Sequence, residues 1–298
     1  MSRAVGPVRQ QGMSLIELMV AITIGLVLAI VAANAYMSAS TAQSSQTDLT
    51  RIQESARFTF DLVAREARLA GYRNNAAAGA AWLSFDTAVA ANSYITGGND
   101  VTTVTVAGST TTVLNTSDTI TFRYYGHDNS AVPPTAADGS ILDCQGTAIR
   151  RDQLLSETLF VAVDATNNNE PTLYCGTVLT NAAGTVLSQA QVPLIPGVES
   201  LQILYGEDTD GDGVINRYVP IGSITDLGAI KAIWVSAVIR SPGNSLPAPQ
   251  TQVFNHFGAT YAPGNTAPAG DAGAVFTGPS DSRSRRVVST IAALRNNL

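Results

Sequence analysis

Few residues in this chain are placed to do chemistry. Glu17 is the single charged residue between Met13 and Met37. A carboxylate in the middle of a bilayer costs roughly 3 kcal/mol or more, so it is expected to find a cationic partner. Far downstream, Asp208-Thr209-Asp210-Gly211-Asp212-Gly213-Val214-Ile215-Asn216 places carboxylates at the first, third and fifth positions of a loop and Gly at the sixth. Close carboxylates repel one another unless a hard cation sits between them. The Gly allows the sharp turn, and the Val214 carbonyl supplies a further oxygen. The spacing predicts a calcium site on Asp208, Asp210 and Asp212, completed by Asn216 or Glu207. The twelfth position, where a helix-flanked calcium loop carries a bidentate Glu, is Val219, and the flanking runs read as strands. An acidic hairpin turn is therefore the alternative.

Two histidines, His127 and His256, stand outside any motif, and His127 lies in a turn-like Gly-His-Asp-Asn stretch. There is no nucleophile elbow, Walker loop or Cys-x-x-Cys pair. No enzymatic activity and no required cofactor are expected, and calcium at the acidic loop is an optional ion.

The element that positions Glu17 is a long helix. Residues 13–37 span about 37 Å as a helix, enough to cross a hydrocarbon core of about 30 Å. The run exceeds a secretory h-region and lacks a clear small-residue cleavage site after it. Arg3 and Arg9 precede it, which keeps the N-terminus cytoplasmic and places the rest in the periplasm or outside the cell. Beyond the apolar run, Leu49, Ile52, Ala56, Phe60, Val63, Ala67 and Ala70 recur at spacings of three and four. That is one apolar face of an amphipathic helix. Asp48 with Arg51, Glu54 with Arg57 and Asp61 with Arg65 are expected charge neighbours on its surface. Gly71 reads as the stop.

After the helix come runs of β-branched and aromatic residues: Val101–Val106, Thr119–Tyr125, Thr158–Val163, Leu173–Val178, Leu201–Tyr205, Ile230–Arg240 and Arg286–Leu294. Pro- and Gly-containing breaks separate them. Residues 73–100 read as a surface connection. Segments 128–140 and 241–281 are rich in Ser, Gly, Pro and Ala, and the second is expected to be mobile or exposed. The expected fold is α+β: a long N-terminal helix packed on an antiparallel β-sheet globular domain.

The 298 residues carry a formal net charge of −6. Removal of residues 1–12, with Arg3 and Arg9, would take it to −8. An acidic chain with scattered basic residues repels phosphate backbones, so direct nucleic-acid binding is not expected. The two cysteines, Cys144 and Cys175, are an even pair in an exported domain and read as one disulfide. A metal site on two thiolates without a nearby His is the weaker alternative.

Gly12, Met13 and Glu17, after a short basic leader and before the apolar run, resemble the class III signal of type IV pilins and pseudopilins. Arg51 through Phe58, Asp61, Arg68-Leu69-Ala70-Gly71-Tyr72, the two cysteine segments, Pro196 through Gly206 and Arg285 through Asn296 are similar to PilW-type minor pilins. The resemblance implies cleavage between Gly12 and Met13 by a prepilin peptidase, and methylation of the new amine. It divides the chain into a leader (1–12), a transmembrane half-helix (13–37), an amphipathic half-helix (38–71) and a periplasmic β-rich domain (72–298). It implies an assembly role for Glu17, pairing with the N-terminal amine of a neighbouring subunit. The expected setting is the inner membrane, single-pass, and then the pilus. The implied partners are other minor and major pilins and a tip adhesin, and the implied role is priming or capping at the pilus tip. A type II secretion pseudopilin and a membrane-anchored periplasmic binding domain are the alternatives. A Pro that pilin helices often carry is replaced here by Asn34.

Overall fold

The computed structural model describes residues 12–73, 93–128 and 136–296. Most of the expected leader, most of the 73–100 connection and the tip of the 128–140 segment lie outside them. One helix, α1, runs Leu15–Leu69. By internal contacts the chain divides into two units, Met1–Thr47 and Asp48–Leu298.

In the first unit every residue from Gly12 to Ser44 is exposed. The large apolar side chains among them include Leu15, Ile16, Leu26, Leu28 and Met37. The helix is long and apolar enough to cross a membrane.

In the second unit the helix buries Ile52, Ala56, Val63 and Ala67, Ala70 is buried just past its end, and Phe60 is half-buried beside them. The expected apolar face is therefore the packed face. The expected charge pairs are replaced by others: Arg57 reaches Asp61 across an exposed turn at 3.7 Å, and Arg65 holds the buried Glu66 at 2.6 Å. Gly71 ends the helix with φ +76°. A Cβ there would lie 2.7 Å from the carbonyl oxygen of Asn296, so the position demands Gly for space as well as for backbone. The Asn296 side chain in turn donates to the Arg68 and Ala70 carbonyls, which the helix end leaves without partners.

Among the described residues thirteen strands follow: β1 (Ile95–Gly98), β2 (Thr103–Val106), β3 (Ser109–Thr112), β4 (Thr119–Tyr125), β5 (Gln153–Asp164), β6 (Glu170–Asn181), β7 (Val186–Pro196), β8 (Val198–Glu207), β9 (Arg217–Val219), β10 (Ile230–Asn244), β11 (Val253–Asn255), β12 (Val275–Thr277) and β13 (Arg283–Ala293). They form two main sheets, ordered β1-β4-β5-β6-β7 and β13-β10-β8-β9, with small β2-β3 and β11-β12 ribbons. All the pairings are antiparallel. The seven runs read from the sequence all meet strands, with Val101, Thr102 and Leu294 lying just outside β2 and β13. The chain passes between the main sheets at Gly197 (φ +87°), whose N–H donates to Pro171 and whose carbonyl accepts from Arg240. Every residue of β8 is buried.

Segment 241–281 departs from expectation. It is packed on the face of β8 and β10 that points away from the helix core. Phe257 meets Trp234 edge-on at 5.1 Å and Tyr261 at 5.3 Å. His256, Ala262, Asp271, Ala274 and Phe276 are buried. A few aromatic residues suffice to anchor a chain whose composition otherwise reads as loop.

Candidate functional site

The helix begins with a reciprocal cap. The Glu17 N–H donates to Ser14 Oγ at 3.2 Å, and the Ser14 N–H donates to Glu17 Oε2 at 3.3 Å. Ser14-Leu15-Ile16-Glu17 is thus a capping box, a signal present in the sequence that the membrane reading passed over. Gly12 and Met13 lie exposed just before it.

The acidic loop joins β8 to β9. One carboxylate oxygen from each of Asp208, Asp210 and Asp212 lies within 4.8 Å of the others. Asp208 is buried, whereas Asp210 and Asp212 are exposed. Asp208 accepts from the Gly211 and Gly213 amides at 2.8 and 2.9 Å, and Lys231 Nζ stands 3.9 Å away. Burial pushes the Asp208 carboxyl up, but those amides and Lys231 outweigh it and hold it below its ordinary value. The two proposed completing residues do other work. Asn216 Oδ1 accepts from the Thr209 amide and hydroxyl and closes the neck of the loop. Glu207 is paired with Arg217 at 2.7 Å. The site thus assembles the three carboxylates expected of it without the fourth side-chain oxygen.

Cys144 and Cys175 form a disulfide, joining the loop before β5 to β6. Beside it lies a group that the sequence did not announce. Glu157 of β5 is fully buried and accepts from the Cys144 amide at 3.0 Å. Tyr124 of β4 donates to Glu66 of α1 at 2.7 Å and lies 3.4 Å from Glu157. Burial, then the neighbouring Glu66 carboxylate, push the Glu157 carboxyl up to about 9. Burial also raises Glu66, with Arg65 opposing it.

Family comparison separates the two ends of this arrangement. Residues 158–296 match the model of the type IV pilus-assembly protein W family, and residues 8–33 match the prokaryotic N-terminal methylation motif. These two matches support a type IV pilus minor pilin of the PilW type. Among solved structures, a type IV-like pilin from Thermus thermophilus is similar at a TM-score of 0.40 and 14% identity, over 83% of this chain and 98% of that one. No curated protein matches the chain closely enough to count as a relative.

The PilW-matching region holds Cys175, the acidic loop and a second ionic cluster. Arg285, wholly buried on β13, binds Glu199 of β8 through two nitrogens and Asp281 at 2.7 Å. Arg240 of β10 binds Glu199 and Glu170, and Arg283 approaches Glu170 at 3.6 Å. His256 is buried between the hydroxyls of Ser200 and Ser236, each 3.0 Å away, and burial drops it to about 3. It is a neutral bridge between the packed segment and the sheet. His127 pairs with Asp138 at 2.6 Å near the surface.

Proposed function

We propose that this PilW-type chain is a minor pilin that primes or caps the type IV pilus at its tip. The observation that carries the reading is the exposed, apolar first unit with one carboxylate in its first turn. A prepilin peptidase removes residues 1–12 and methylates the amine of Met13. The mature helix then waits in the inner membrane, with the domain after it in the periplasm. Before assembly the capping box gives Glu17 a local partner, a contact of about 1 kcal/mol. In the filament the N-terminal amine of a neighbouring subunit replaces that contact with a charge pair. In a low-dielectric bundle such a pair fixes axial register, because a carboxylate left unpaired there is strongly disfavoured. Other minor and major pilins and a tip adhesin are the partners.

The acidic loop adds a second element to this reading. Three convergent carboxylates with one lysine nearby suit a calcium ion, which would brace the β8–β9 turn. Asp208, Asp210 and Asp212 would hold it.

The test is an intact mass and N-terminal peptide analysis of the chain from host membranes and sheared pili. A chain starting at N-methylated Met13 and present in pili is the expected result. A chain starting at Met1, or Glu17→Ala protein incorporated as well as wild type, would overturn it. Loss of twitching motility with secretion intact, on deletion, separates pilus from secretion pseudopilus.

A further inference from the structure

A sheet edge offers unpaired N–H and C=O groups to any strand that meets it, and folds usually blunt such edges. Among the described residues the two main sheets have four edge strands. β1 has 4 residues and β9 has 3, too short to template much. β7 is long, but it carries Pro193 and Pro196 and its pairing with β6 is twice interrupted by register shifts. β13 is the exception: 11 residues, no proline, and no charge from Val287 to Ala293. Val287 is 37% exposed and Ile291 56% exposed, so apolar side chains flank the open edge. Among the described residues β13 pairs only with β10.

The charges at its two ends say what can dock. Arg286 and Arg295 are both exposed and bracket the uncharged stretch. An antiparallel second copy, aligned over 287–293, would set Arg295 of each copy opposite Arg285 of the other, with Arg286 one position away. A parallel in-register copy would set Arg286 against Arg286. Like charges so placed are destabilising, so self-pairing is selected against. A strand with an apolar, β-branched centre and a carboxylate at each end meets the same edge with every term favourable.

We propose that β13 is a docking edge that receives an extended, acid-ended strand from a different pilin subunit, lengthening the four-stranded sheet across the subunit boundary. This rests on the pilus-assembly reading above and names the surface that reading leaves open. The test is photo-crosslinking in the native host, with p-benzoylphenylalanine placed at Ser289 or Ile291 of the full chain and at Leu187 of β7 as the comparison. Mass mapping then identifies the linked peptide. The expected result is a β13 adduct to an acid-flanked apolar segment of another pilin-family subunit, at least tenfold above that from Leu187. Arg286→Glu with Arg295→Glu should reduce the adduct at least fivefold, while the β7 signal stays level. An adduct to a second copy of this chain, or none at β13 while the protein is recovered in sheared pili, overturns the docking edge and leaves the assembly role standing. Absence of the protein from pili counts against the assembly role instead, and the β13 adduct is still read from membranes.

Discussion

Two ionic clusters link elements of this domain, and they are built on opposite plans. Between the sheets, Glu170, Glu199 and Asp281 face Arg240, Arg283 and Arg285, so that acids and bases balance. Under the helix, Glu66 and Glu157 share the Tyr124 hydroxyl with Arg65 as the neighbouring cation. The balanced cluster can meet each carboxylate with a guanidinium. The acid-rich one cannot, and burial forces a proton onto it. The first therefore fastens by direct charge pairing, and the second makes the helix-to-sheet contact depend on proton activity.

The largest effect should come from unbalancing the first cluster. Arg285→Met leaves Glu199 and Asp281 facing each other without their shared cation. A loss of about 3–5 kcal/mol is expected, read by denaturant unfolding of the chain in detergent. Survival of wild-type stability would show that the balance is decorative. Cutting the disulfide comes next. Cys144→Ser with Cys175→Ser opens a loop of sequence separation 31, for which the chain-entropy model gives about 3–4 kcal/mol. It also frees the Cys144 amide that Glu157 uses.

The comparison sharpens most with pH. The folded-state Glu157 carboxyl stands near 9, above its ordinary value of 4.5. Its contribution is thus complete below about 4.5 and is lost as pH rises toward 9. His256 works the other way: lowered to about 3, it contributes above its ordinary 6.5 and loses that as pH falls. Between pH 7 and 9 the acid cluster should dominate, and the melting temperature should fall. Glu157→Gln should flatten that fall. An unchanged slope would mean that the cluster holds no extra proton.

The smallest effect tests a third way to handle surplus acid. The 208–212 loop is open to solvent at Asp210 and Asp212, so an ion can enter where a proton must serve in the interior. At calcium about ten times its dissociation constant the stabilisation is about 1.4 kcal/mol. The melting temperature should rise accordingly at millimolar calcium, and Asp210→Ala should abolish the rise.

Much of the architecture was legible because it rests on periodicity. The 3–4 spacing of Ile52, Ala56, Val63 and Ala67 and the β-branched runs report burial directly. β7 escaped because its sequence, with Ser188, Gln189, Gln191 and two prolines, belongs to a half-exposed edge rather than a core strand. Segment 241–281 misled by composition: its Pro and Gly count signals loop, while Phe257, Tyr261 and Phe276 do the packing. The acidic loop was visible because its ligands are adjacent in sequence. The Glu66–Tyr124–Glu157 group was not, since its members are separated by 58 and 33 positions and only the fold brings them together.

The Asn296 cap on the helix end spans 228 positions of sequence to Arg68. At synthesis rates of about 5–20 residues per second, that interval lasts on the order of ten seconds or more. Throughout it the helix has emerged while its last carbonyls still lack their partner. The helix end and the final strand therefore report on each other, and a chain interrupted before β13 would reach the membrane with its anchor made and its seam unsealed.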